Sequence, residues 1–255
     1  MFLFIILLVF IALSAGLAWF LIAHDQGEKE PVGALWAAFG FGLLGGVLAG
    51  FIESIVVSDE SMLPGTALKS VLLATLIVGI VEEACKFLPL ATWINNKRFF
   101  NEHTDGVIYF GLAGLGFGLP ENLLYAAVFG AHVGLERAIL TPFFHAAITG
   151  MVGFYLIKLK LAHKSAFGIL PVLAFAMLIH GLYDFGLSTD LLGLQIMSLL
   201  ITLSLSASLF VIYFKAKELD QKLGLSVVGH NAFCRSCGAP NPDKSLYCTR
   251  CGKNA

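Results

Sequence analysis

Seven apolar stretches, each about as long as a bilayer's hydrocarbon core is thick, leave this chain one environment in which to fold. A helix needs about 20 apolar residues to cross that core. Stretches of this kind run approximately from Phe2 to Ala23, Gly33 to Val57, Ser70 to Ile94, Gly106 to Ala131, Ala138 to Ile157, Ala166 to Leu187 and Leu191 to Phe214. With 58% hydrophobic residues, 13% charged residues and a mean hydropathy of +0.85, the 255 residues do not make a soluble domain. Backbone polar groups in lipid need partners within their own segment, so stretches of this length are helices. The expected fold class is all-α: a polytopic membrane bundle of about seven transmembrane helices over residues 1–222, a linker at 223–232, and a small C-terminal module at 233–255. The first stretch has no basic segment before it and no small-residue cleavage site after it, so it reads as an uncleaved span.

Loop charges give the orientation, because Lys and Arg favour the cytoplasmic side. Lys29, Lys97, Arg98, Lys158, Lys160, Lys164, Lys215, Lys217 and Lys222 fall on one side, nine against two, Lys69 and Arg137. The N-terminus is therefore expected outside a cell membrane and the C-terminus in the cytoplasm. A net charge of −1 without basic runs gives no reason to expect a nucleic-acid partner.

The C-terminal module carries Cys234, Cys237, Cys248 and Cys251, two C-x-x-C pairs ten residues apart, each followed by glycine, Gly238 and Gly252. Two such knuckles complete a closed four-cysteine site, which makes a structural zinc ribbon. Closed coordination leaves no open position for chemistry, and a cytoplasmic location argues against disulfides. Recognition or regulation is the expected role.

Charge inside the apolar stretches is the second constraint, since a charged side chain at bilayer centre costs a few kcal/mol where lipid surrounds it. Glu82 and Glu83 stand side by side with Lys86 one turn on, and other stretches hold Glu121 with Asn122, His145, and His180 with Asp184. Counting 1.5 Å per residue from the cytoplasmic ends places Glu82, Glu121, His145 and His180 between about 18 and 22 Å deep, in one layer. Glu82 and Lys86 share a helix face and Glu83 points about 100° away, so spacing pairs Glu82 with Lys86 and leaves Glu83 freer. Pro120 removes a backbone bond before Glu121 and should bend or open that helix beside a cavity. Carboxylates and histidines around a cavity are the equipment of general acid and base catalysis, and equally of proton-coupled transport. No internal repeat of the transporter kind is visible.

These residues form an ordered set. Glu82-Glu83-Ala84-Cys85-Lys86, Phe117-Gly118-Leu119-Pro120-Glu121-Asn122, Phe144-His145 and His180-Gly181-Leu182-Tyr183-Asp184 resemble the EExxK, FxxxEN, FH and HxxxD motifs of the PrsW family of intramembrane proteases, distant relatives of the type II CAAX prenyl endopeptidases. The resemblance implies an endopeptidase that cleaves a membrane-protein substrate, such as a single-span anti-sigma-factor-like protein, near or within the bilayer. It implies Glu82 and Glu83 as an essential pair, one of them activating water, and His180 as an essential partner. Glu121 takes the place of a water-binding histidine in the prenyl endopeptidases, where the first glutamate of the pair is the base. His180 with Asp184 takes the place of their oxyanion-stabilising histidine and asparagine, although an ionised Asp184 cannot donate to an oxyanion.

The catalytic set expected from the sequence is thus Glu82, Glu83, Glu121, His145 and His180, supported by Lys86, Asn122 and Asp184. Glu82, Glu83, Glu121, His145 and His180 could also ligate zinc with an open position. Lys86 beside the carboxylates favours a metal-free, glutamate-based site. A non-catalytic scaffold or sensor working through the zinc ribbon is the alternative function. Glu53, His103, His132 and His163 lie near predicted interfaces and read as solvated. Gly42, Gly46 and Gly50 read as a close helix contact.

Overall fold

The computed structural model describes residues 2–57 and 66–225, together with Ala239 and Arg250. The four-cysteine module expected at 233–255 has its cysteines outside the described residues. Among the described residues seven α-helices follow one another: α1 Phe2–Ala23, α2 Val32–Val56, α3 Leu68–Ile94, α4 His103–Phe129, α5 Ala131–Leu161, α6 Leu170–Leu187 and α7 Leu192–Lys222. A 3₁₀ turn at Ala166–Ile169 leads into α6. Among the described residues, six helices are long and apolar enough to cross a membrane. The seventh, α3, matches them in length at 27 residues, and Glu82, Glu83 and Lys86 in its middle set it apart.

Helix α4 is the axis of the bundle, buried continuously from His103 to Gly118, and packs chiefly on α5 and α2. Glycine makes this possible: a Cβ on Gly114 would stand 2.6 Å from the carbonyl carbon of His145, so α4 and α5 approach backbone to backbone at the height of that histidine. On the α2 side, Gly46 faces Phe117 and Pro120 of α4, and Gly45 faces the Cys85 carbonyl of α3. Gly42 and Gly46 make the expected close contact, whereas Gly50 touches nothing within 4 Å. Pro120 does not end α4, which runs unbroken to Phe129. Helix α3 lies against α6, and α5 against α7.

The end of the bundle where α1 joins α2 adds buried carboxylates to the apolar packing. Asp220 of α7 accepts from the N–H groups of His103 (2.7 Å) and Thr104 (2.9 Å), capping α4 from a helix more than 100 residues away. His103 is buried, with Nδ1 2.7 Å from Asp220, contrary to its solvated reading. His132 and His163 are exposed as expected. Glu102 accepts from the Glu28 N–H (2.9 Å), and Asp105 accepts from those of Asn101 and Glu102 (2.6 and 2.7 Å).

Glu102 is fully buried with its Oε2 unpartnered. Burial first, then the charges of Asp105, Asp25 and Asp220, push its carboxyl from the ordinary 4.5 up to about 9. Burial likewise raises Glu30 to about 7. A group with a raised folded pKa binds its proton more tightly in the folded chain, so stability falls as pH climbs from about 4.5 towards 9. Thermal unfolding in detergent should therefore occur at progressively lower temperature from pH 5 to pH 9. Glu102→Gln should flatten that decline and melt above the wild type at pH 8; an unchanged slope would remove Glu102 as its source.

Candidate active site

Four helices bring their polar groups to one place. Helix α3 carries Glu82, Glu83 and Lys86, all at most 4% exposed, and α6 brings His180, fully buried. Lys86 Nζ donates to Glu82 Oε2 (3.1 Å) and Glu83 Oε1 (2.9 Å) and lies 3.3 Å from His180 Nδ1. The expected division, with Glu82 paired and Glu83 free, does not hold. A lysine stem reaches carboxylates three and four residues back alike, and Glu83 is also 2.7 Å from His180 Nδ1. Glu83 is the more fully engaged of the two.

That contact fixes the imidazole. With Nδ1–H donating to Glu83, His180 Nε2 carries a lone pair, 3.2 Å from Glu82 Oε2 and 3.6 Å from Asp184 Oδ2. From α5, His145 places Nε2 2.7 Å from Glu121 Oε2 of α4. Neither Nε2 makes a hydrogen bond despite these distances, and Glu121 Oε2 and Asp184 Oδ2 are also unpartnered. His180 Nε2 is thus a buried acceptor facing the carboxylates of Glu82 and Asp184, an arrangement that calls for a cation or a proton between them, while both ring nitrogens of His145 are unpartnered. The ring centroids of His145 and His180 are 5.6 Å apart. Phe144 stacks on Tyr183 at 4.1 Å and meets the His180 ring edge-on, locking α5 to α6 beside the site.

Ligand atoms of Glu82, His145 and His180 all lie within 4.8 Å of one another, the group among the described residues suited to hold a metal ion. Ligands bound about 2.0 Å from a tetrahedral zinc are about 3.3 Å apart, close to the separation of Glu82 Oε2 and His180 Nε2. Glu82, Glu83 and Glu121 outnumber Lys86 and Arg137, the cations they pair with, and the donor set fits a divalent cation.

Asn122 serves the scaffold: its Nδ2 donates to the Gly118 carbonyl (2.6 Å) and to Thr141 Oγ1 (2.7 Å), tying α4 to α5. Glu53 of α2 is half-buried with Oε1 unpartnered, not solvated, and its charge is felt by Glu82, Glu121 and Lys86. Arg137 departs furthest from its sequence reading. It is 5% exposed inside α5, ion-paired with Glu121, and stacked 3.8 Å over the Tyr125 ring. Placing the start of α5 at Ala138 hid it. Arg137, Thr141 and His145 recur at intervals of four, one helix face, and that spacing was the available signal.

Residues 30–214 match the family described as PrsW family intramembrane metalloprotease. Protease PrsW of Bacillus subtilis (strain 168) is 32% identical over 185 residues, covering 69% of this chain and 83% of its own. The protein of the same name from Geobacillus kaustophilus (strain HTA426) is 29% identical over 183 residues, covering 69% and 79%. That from Clostridioides difficile (strain 630) is 26% identical over 186 residues, covering 70% and 77%. No solved structure matches the chain.

Proposed function

The chain belongs to the PrsW family and is a multi-pass intramembrane protease, and on that premise we propose that it hydrolyses a peptide bond of a single-span membrane protein at the layer formed by Glu82, Glu121, His145 and His180. The observation that carries this reading is the convergence of Glu82, His145 and His180 within 4.8 Å, beside the unpartnered Oε2 of Glu121. A scaffold or sensor has no use for buried acceptors left facing one another, which cost stability without return.

Glu82, His145 and His180 are the residues that would hold a divalent cation. Bound there, zinc would act as a Lewis acid and make water acidic enough to ionise near neutral pH. Lys86, whose charge suggested a metal-free site, reaches the Nδ1 side of His180 and is shared by Glu82 and Glu83. Glu83 holds the ring so that Nε2 faces the site, the role carboxylates play behind metal-bound histidines. Glu121 is the glutamate that takes a proton from the attacking water at Oε2, since Arg137 fixes its other oxygen. Asn122 and Thr141 keep α4 and α5 in register around that pair.

With Arg137 buried inside α5, the loop charges favour one side still more strongly, which supports an outside N-terminus and a cytoplasmic tail. In that tail Cys234, Cys237, Cys248 and Cys251 would hold a structural zinc as a recognition or regulatory module, residues 233–255, joined by a linker to the membrane domain. Substrates of the anti-sigma-factor type suit this topology, with signals passing through the bilayer. The direct test is co-expression with single-span reporters. Wild-type protein should cleave one and Glu82→Gln should leave it intact, while cleavage by both would contradict the assignment.

A further inference from the structure

When water attacks a peptide carbonyl, the C=O π pair moves onto oxygen, and a hydrolytic site needs a donor aimed at that oxygen. The charged and amide donors of the layer are nearly all engaged. Lys86 directs its ammonium at Glu82 and Glu83. Asn122 donates to Gly118 and Thr141, and the Thr141 hydroxyl donates to the Arg137 carbonyl. His180 Nδ1 belongs to Glu83, His145 is one of the three residues that would hold the cation, and Asp184 has no N–H. Arg137 differs. Its Nη2 meets Glu121, its Nε is buried and unpartnered, and its guanidinium lies 3.8 Å over the Tyr125 ring of α4. The guanidinium therefore stands against α4, separated from His145 Nε2 by the width of the Glu121 carboxylate.

We propose that Arg137 is a catalytic residue that donates from its guanidinium to the scissile carbonyl oxygen, supplying the oxyanion donor that Asp184 cannot. This rests on the hydrolytic reading above. The water oxygen bonds to the carbonyl carbon and its proton passes to Glu121; the displaced π pair becomes an oxyanion against the guanidinium. On collapse the C=O reforms, the C–N bond breaks, and the proton on Glu121 goes to the leaving nitrogen. Arg137 remains protonated throughout and Glu121 ends as it began.

A merely structural Arg137 would neutralise Glu121 and cover the Tyr125 ring, and lysine can do both. Arg137→Lys keeps the charge and loses the planar fork of N–H donors. With a reporter that the wild type cleaves, this variant should lose about 10²- to 10³-fold in kcat, with KM within about threefold and thermal unfolding nearly unchanged. A peptide phosphonate built on the cleaved sequence, whose anionic oxygen mimics the oxyanion, should bind the variant more weakly by a similar factor. The unreactive reduced-amide peptide should bind equally to both proteins. As a second arm, Arg137→Ala should regain activity with added guanidinium and not with methylammonium. Wild-type kcat in Arg137→Lys, or losses of kcat, melting temperature and both ligands together, would overturn the proposal. A wild type that cleaves no reporter and binds no phosphonate would overturn the hydrolytic reading, and this inference with it.

Discussion

Glu82→Gln should lower kcat/KM for a single-span substrate by about 10³-fold or more, the scale on which catalytic sites lose an essential electrostatic or proton-handling group. The substitution changes almost no volume and leaves Lys86 its 2.9 Å bond to Glu83, so α3 should insert and fold. What it removes is the carboxylate charge from the group that Glu82 forms with His145 and His180. Metal content sharpens the expectation. Glu82→Ala should contain about one equivalent less divalent metal than the wild type. Whatever the C-terminal cysteines bind is common to both proteins and cancels. Equal metal content with lost activity would leave Glu82 essential and remove it as a ligand.

Glu121→Gln should separate the proton acceptor from the metal site. Its Oε2 lies against His145, but Glu121 is outside the group of three, so this variant should retain its metal while kcat falls about 10²- to 10⁴-fold, the usual value of a positioned base. A stability cost should accompany the loss, because Arg137 would remain buried with its carboxylate partner gone. Breaking one side of a buried pair typically costs about 3–5 kcal/mol. Activity is therefore to be expressed per folded, metal-loaded molecule. A kcat that falls only in proportion to the folded fraction would assign Glu121 to structure alone.

The spans were legible because lipid permits few alternatives to a helix, and every apolar stretch is one. Their ends were less so. Helix α5 begins at Ala131 because Gly130, at φ 90°, turns the chain directly out of α4; His132, Glu136 and Arg137 made those first turns look like a loop. Helix α7 continues to Lys222 because Asp220 faces inward to cap α4. The layer itself was readable from buried charge and helical rise, since groups costly to bury are kept where they meet one another. Pairing within it was not. Whether Lys86 chooses Glu82 or Glu83 depends on His180 from another helix, and Arg137 acquires its meaning from Glu121, 16 residues away on the neighbouring helix. Glu53 looked like an interfacial residue because three residues separate it from the end of α2. Its approach to the site follows from the glycines that let α2 settle against α3 and α4.

The most direct test is to compare newly formed protein N-termini in membranes of cells carrying the wild-type protein or Glu82→Gln at equal abundance. The expected result is a set of new termini within or beside the spans of single-span membrane proteins, present with the wild type and absent with the variant. The same termini in both, at the same yield, would contradict the claim that this buried layer is where the peptide bond is cut.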